Sequence, residues 1–235
     1  MNYNNPFIKI LETIANMLIT TFLWIVFSLP VLTIIPSSAA LYHTTHKVIF
    51  GPKKGNGVLK DFFDTYKLNL IPGIKLTLIV MVAGLFVAEG LWTAYQIYKL
   101  NIWGMLYTIL GILISAVVIT TIIYIPPVLS RFDAPISSII RLALYFGMKK
   151  PLRSIFYLLL LGFMVLAIEA FPLAVVIVPA LYTDFVRTYL ENDLNKFIKE
   201  NNLEEKEEED ITEEEVMEDS AIDIETKLSK EDKKK

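Results

Sequence analysis

TTFLWIVFSLPVLTIIPSSAALYHTTHK, Thr20 to Lys47, decides how the rest of this chain is read. An apolar run meets Pro30, resumes for five residues, meets Pro36 and then turns polar with two histidines. Proline removes a backbone donor and disfavours helix at the residue before it. An unsatisfied backbone group in hydrocarbon costs several kcal/mol, so such a break belongs at a membrane interface or inside protein. The stretch therefore reads as the end of a membrane-crossing helix, residues 7–29, followed by a fresh helix start at Pro36-Ser37-Ser38, where a serine can cap exposed amides. The new segment, running to Phe50, is expected to lie on the inner surface as a short helix, with Leu41 and Val48 toward apolar surroundings and His46 and Lys47 more polar. A re-entrant loop is the alternative.

Composition supports a membrane setting. The chain has 235 residues and is 54% hydrophobic, with a mean hydropathy of +0.51, which is more apolar than a soluble domain of this size. Residues 1–190 hold seven acidic and fourteen basic side chains, whereas residues 191–235 hold eighteen acidic and eight basic ones. A basic membrane body (1–190) and an acidic tail (191–235) thus occupy different surroundings. There is no cysteine, which excludes disulfides, thiolate catalysis and zinc–thiolate sites. No cleavable leader is read at the N-terminus, which carries Lys9 and no basic cluster.

A helix needs about 20 apolar residues to cross the hydrocarbon core. Runs of that length give spans over residues 7–29, 76–98, 102–125, 152–169 and 172–190. The last two are separated at Glu169, Phe171 and Pro172. The alternative there is one long helix kinked at Pro172, which gives four spans. Charge favours five. The connection after the first span carries Lys47, Lys53, Lys54, Lys60, Lys67 and Lys75, and that after the third carries Arg131, Arg141, Lys149, Lys150 and Arg153. The connection after the second span has only Lys99, and the turn near Glu169 has no Lys or Arg. This alternation puts the N-terminus outside and the C-terminus in the cytoplasm. Trp92, Tyr95, Tyr98, Trp103 and Tyr107 cluster at the outer turn, at headgroup level, and Trp24 marks the inner interface.

Short amphipathic helices are expected on the inner side at residues 58–68, with Phe62, Phe63 and Tyr66 as apolar anchors, and over "PISSIIRLALYFGMKKP" up to Pro151. The last 35 residues have dense charge and few large apolar groups, so they read as disordered. The expected fold is an all-α polytopic membrane helix bundle with about five transmembrane helices and an acidic tail.

Leu29-Pro30, Thr33, Ile34, Pro36, Ala40-Leu41-Tyr42 and Asp61-Phe62-Phe63 carry a family resemblance. This pattern resembles the YesL-like family of bacterial multi-pass membrane proteins, a family of unknown function, over roughly residues 20–70. Ile35 stands where that pattern has glycine, which removes a tight backbone approach expected there. The resemblance implies an integral membrane protein often found in carbohydrate-uptake gene neighbourhoods, with no established activity and no known catalytic residues.

Glu89 is the most informative residue within a span. An ionised side chain deep in a bilayer costs on the order of 3 kcal/mol, so it should face other helices or be protonated. Gly84, Ala88 and Gly90 surround it, and Gly111 and Ser115 have a matching spacing in the next span; small residues let helices approach. Glu12 and Glu169 fall in the same outer half. Three carboxyls at similar depth could line an outward-facing polar cavity, or Glu12 and Glu169 could simply be interfacial. His43 and His46 share a helix face and could begin a metal site with Asp61 or Asp64, or sense pH on the inner side. Polar residues on an interfacial helix explain them more simply, and no metal, cofactor or catalytic residue is assigned.

Residues 51–57, "GPKKGNG", lack the Lys-Ser/Thr ending of a phosphate loop, and no hydrolase, zinc-protease or dinucleotide motif is present. The acidic run Glu204–Asp219 could meet a basic partner but reads as solvated, and the basic loops suit anionic lipid. The expected partners are the bilayer, a sugar transporter or other membrane protein, and a second copy in a homo-oligomer, with no nucleic acid. Two functions stand open. One is a non-enzymatic accessory or assembly component linked to carbohydrate uptake. The other is a small oligomeric channel or transporter using Glu89. An enzyme ranks third because polar side chains within the spans are sparse.

Overall fold

The computed structural model describes residues 6–49, 57–98 and 101–201. Loop residues 51–56, Lys99 and the acidic run Glu204–Asp219 lie outside them. The described chain is an all-α bundle. Its helices are α1 (Pro6–Ser28), α2 (Ile34–Thr44), α3 (Val58–Leu68), α4 (Leu70–Ile97), α5 (Ile102–Arg131), α6 (Ile136–Lys149), α7 (Pro151–Ala170) and α8 (Val178–Asn201). Short 3-10 segments at Val31–Thr33 and Pro172–Val176 precede α2 and α8, and a π-helical turn at Thr45–Ile49 follows α2.

Four helices are long and apolar enough to cross a membrane: α1, α4, α5 and α7. Between 11% and 22% of each apolar stretch is buried within the bundle. Large side chains such as Phe86, Leu110, Leu159 and Phe163 stand exposed on these helices. A soluble protein does not leave a belt of that extent to water, and the chain is a membrane protein with lipid around these helices. Trp92, Tyr95, Tyr98, Trp103 and Tyr107 are all exposed near the α4–α5 turn, as rings at headgroup level should be.

Residues 172–190 are built differently from the other spans. They are divided between the 3-10 segment and the first half of α8, a helix whose later turns are polar. The chain nonetheless turns back along α7. Tyr157 donates to the Val186 carbonyl at 3.4 Å, and Asp193 meets Lys150 at 2.5 Å and Arg153 at 2.6 Å. The segment after Phe171 therefore returns to the end of α7 from which that helix began. Two helices with a break at Pro172 replace one kinked helix. In α8, Val186, Leu190, Leu194 and Ile198 form a buried stripe at four-residue spacing. The stripe continues into Phe197, which packs on Phe132, Tyr145 and Phe146 with ring centroids 5.4–6.3 Å apart.

The inner-surface reading of residues 36–50 is corrected. Helix α2 is not a surface helix but the centre of the bundle, contacting α1, α3, α4, α5 and α8. From Ile35 to Thr44 every residue is buried except the half-buried Ser38. The physical reason lies in Ser37, Ser38, Ala39 and Ala40, whose small side chains let neighbours close on all sides. The helix also begins earlier than Pro36. It starts at Ile34, so Pro36 falls in the first turn, where a missing amide is harmless. No side chain caps it; Ser37 instead donates to the Thr33 carbonyl at 2.7 Å and lies 2.6 Å from the Ser28 hydroxyl.

Trp24 does not mark an interface alone. It is half-buried and donates from Nε1 to Ser38 Oγ at 3.0 Å, joining α1 to α2. Phe62 is no lipid anchor either: it is fully buried against Leu23, Ala40 and Leu41. Phe27 makes edge contacts with Phe63 and Tyr66 at 5.1 and 4.8 Å. Glycine at position 35 is not what brings backbones together here, since Ile35 is buried in the main core. The close approach comes from the opposite partner. At Gly73 of α4 a Cβ would lie 2.7–2.9 Å from three atoms of the Pro36 ring.

Candidate functional site

Two features bring polar chemistry into this apolar bundle. The first is an ion cluster uniting α2, the π-helical turn, α5 and α8. Arg131, at the end of α5, and Glu191 of α8 are both buried. Arg131 Nη2 lies 3.3 Å from Glu191 Oε2 and donates to Asn195 Oδ1 at 2.9 Å. Tyr42 Oη donates to the other carboxylate oxygen at 2.6 Å. Burial, reinforced by the Glu191 charge, pushes the Tyr42 phenol well above its ordinary range, so it remains a donor.

His46 completes the cluster. Its Nε2 lies 3.5 Å from Arg131 Nη1 and its Nδ1 lies 3.7 Å from Glu191 Oε1. The imidazole thus sits between the guanidinium and the carboxylate of the pair. Sequence reasoning missed Arg131 and Glu191 as site residues. The available signal was Arg131 ending a long apolar run; nothing local pointed to Glu191.

The second feature is a cavity of about 230 Å³ next to this cluster. Its walls come from α1, α2, α5, α7 and α8, and include Trp24, Ser38, Tyr42, Tyr182 and the prolines Pro126, Pro127 and Pro179. Helix α5 does not end before its proline pair, as the span limit of 125 implied. It continues through Pro126 and Pro127 to Arg131. The central position of α2 and the broken return before α8 bring further proline-bearing segments to the same space.

Glu12, Glu89 and Glu169 are each exposed on α1, α4 and α7, and none lines either cavity described here. Among the described residues no group of three or more potential metal-ligating side chains gathers, so His43 and His46 do not share a ligand set with Asp61 or Asp64. Glu89→Gln is expected to leave thermal stability within about 0.5 kcal/mol, as for an exposed substitution; thermal unfolding of the purified variant checks this. Of the motif residues, Thr33, Pro36, Ala40, Leu41, Tyr42, Asp61 and Phe62 are buried. Thr33 Oγ1 ties α1 to α2 through the Phe27 and Pro30 carbonyls at 2.6 and 2.7 Å. Leu29, Pro30 and Phe63 are exposed at the edge of this packing. The motif is therefore the packing of α1, α2 and α3, and it contributes one residue, Tyr42, to the ion cluster.

The small residues near Glu89 do not bring helices together. A Cβ at Gly84, Gly90 or Gly111 would meet nothing within 4 Å. Between the halves of α4 and α5 nearest their connecting turn lies an open groove of about 350 Å³, lined by Ala83, Phe86, Gly90, Tyr107, Gly111 and Ser115, among others.

A family model described as "Protein of unknown function, DUF624" matches residues 17–91. The matched region runs from the middle of α1 through α2 and α3 into α4. It holds the central helix and the Pro36–Gly73 contact, and it stops short of Arg131 and Glu191. No curated protein and no solved structure matches the chain.

Proposed function

We propose that this chain is a non-enzymatic accessory or assembly component that docks to another membrane protein within the bilayer. The observation that carries the reading is the α4–α5 hairpin. Its half nearest the turn carries an open groove of about 350 Å³, whose lining sets Ala83, Gly90, Gly111 and Ser115 among larger apolar side chains, and a Cβ at Gly90 or Gly111 would meet nothing within 4 Å. Surfaces of this kind suit helix association in membranes, where close backbone approach replaces the hydrophobic drive. The link to carbohydrate uptake and the YesL-like assignment belong to this proposal and are supported by the motif resemblance alone.

Purification in mild detergent through a tag, followed by mass spectrometry of co-purifying proteins, tests the docking. A reproducible membrane-protein partner, lost on bulky substitution at Gly90 or Gly111, is expected. Recovery of the chain without a membrane partner counts against it.

The orientation belongs to the same proposal: N-terminus outside, charged end in the cytoplasm. The return of Asp193 to Lys150 and Arg153 supports an even number of passes between those residues. A reporter fused after Lys235 is expected to be active only on the cytoplasmic side. A second reading, a small oligomeric channel or transporter, is favoured by the central cavity rather than by Glu89. Flux of ions, protons or sugars in reconstituted vesicles tests it.

A further inference from the structure

We propose that the central cavity binds an apolar chain carrying a neutral carbonyl group, as an ester or a ketone does, and that the Tyr182 hydroxyl donates to that carbonyl. Tyr182, in the first half of α8, lines the cavity with a half-buried side chain. Its Oη is itself buried and has no hydrogen-bond partner among the described residues. Such a group is rare in a folded protein, because it has given up water and received nothing in exchange. The other polar side chains of the wall are already engaged. Trp24 Nε1 donates to Ser38, Tyr42 to Glu191 and Thr183 to the Pro179 carbonyl. Ser38 keeps its own proton, but its oxygen holds the bond from Trp24. Tyr182 is the hydroxyl on this wall with no bond of either kind.

A phenol is a good donor, and a carbonyl oxygen is a neutral acceptor that brings no proton needing a partner of its own. Among the described residues no charged side chain lines the cavity, so a carboxylate or phosphate would enter without a counter-charge. The volume, about 230 Å³, is below the ~300–1,000 Å³ of drug-sized pockets, which suits one slender chain. Leu41, Leu161, Met164 and Val186 make the wall aliphatic or thioether beyond the polar groups. Ile122, Ile123, Leu161 and Met164 belong to α5 and α7, two helices with lipid around them, and are only half-buried. An apolar chain therefore reaches the cavity from the bilayer side.

Trp24 supplies a reporter in the cavity wall. The other tryptophans, Trp92 and Trp103, are exposed at the hairpin turn and are removed as Trp92→Phe and Trp103→Phe. The full-length protein in nanodiscs is titrated with methyl 8-bromo-octanoate, 9-bromo-2-nonanone, 1-bromononane and ionised 8-bromo-octanoate, and heavy-atom quenching of Trp24 is followed. Saturable quenching is expected with the ester and the ketone, at half-saturating membrane concentrations about three- to tenfold below that of the alkane, the worth of one hydrogen bond. The ester stands for an acyl lipid of the membrane and the ketone for a free neutral lipid, and the tighter of the two names the source. The carboxylate is expected to bind no better than the alkane. Tyr182→Phe is expected to erase the advantage of the carbonyl probes while leaving quenching by the alkane. Met164→Phe, which fills the wall from α7, is expected to weaken all of them. Equal saturation by carbonyl probes and alkane, or an advantage that survives Tyr182→Phe, overturns the donor assignment. A carboxylate that binds tightest overturns the neutral group. Quenching that rises linearly for every probe, or that Met164→Phe leaves unchanged, overturns the site. Thermal unfolding confirms that each variant is folded before it is scored.

Discussion

Arg131→Ala is expected to destabilise the purified protein by roughly 3–5 kcal/mol, the cost of leaving a buried charge without its partner. Glu191 is buried and shares its two carboxylate oxygens between Arg131 and Tyr42. Removing the guanidinium takes away the cation 3.3 Å from that carboxylate and leaves the Tyr42 hydrogen bond in place. Glu191→Ala is expected to cost a comparable amount, because it breaks the same buried ion pair from the other side while Arg131 keeps its bond to Asn195. The double variant Arg131→Met with Glu191→Leu is expected to recover most of the loss, since apolar side chains of similar volume often replace a buried ion pair at little cost. Tyr42→Phe removes only the phenol and is expected to cost about 1.5–3 kcal/mol, the range for a hydrogen bond to a charged group. Thermal or denaturant unfolding of the four variants in one detergent gives the comparison. If the double variant is as unstable as either single one, the cluster holds the helices through shape and not through charge.

The second large effect is at Gly73. A methyl group there would sit inside the van der Waals shell of three Pro36 atoms, and neither partner can yield easily. The proline ring is rigid and Gly73 lies in the first turn of α4, against a fully buried part of α2. Gly73→Ala is expected to cost about 1–3 kcal/mol as an overpacking substitution, and Gly73→Leu to prevent recovery of folded protein. Gly84→Leu, on the same helix, is the control, because no atom lies within 4 Å of the added carbon. It is expected to leave thermal stability nearly unchanged. A Gly73→Ala protein as stable as the parent would show that α2 and α4 separate without loss, and the central role given to α2 would fall with it.

The sequence made the long apolar helices legible because their signal is length, and length survives any arrangement of neighbours. Helix α3 occupies Val58–Leu68, the limits read from its charge and aromatic pattern. Helix α2 was misplaced for a reason of scale. Serine and alanine contribute little hydropathy, yet their smallness is what admits five neighbours. The ion cluster was not legible at all: Tyr42 and Glu191 are 149 residues apart, and no local spacing announces such a pair. Glu89 drew attention because a carboxyl in a span is costly, but cost alone does not say which way a side chain faces. Its exposed position leaves that cost to be met from outside the bundle. The third span was given as residues 102–125, whereas the helix continues through Pro126 and Pro127 to Arg131.

The buried contact between Arg131 and α8 also sets a timetable. Sixty-four residues separate Arg131 from Asn195, so at ~5–20 residues per second the ribosome delivers the second about 3–13 s after the first. During that interval the end of α5 waits, held by nothing that α8 will later provide. A nascent chain halted near residue 190 would reach the insertion machinery with Arg131 lacking its contacts to Glu191 and Asn195, and quality-control proteases would meet it in that form. Completion of the last helix is thus the step that makes the inserted chain durable.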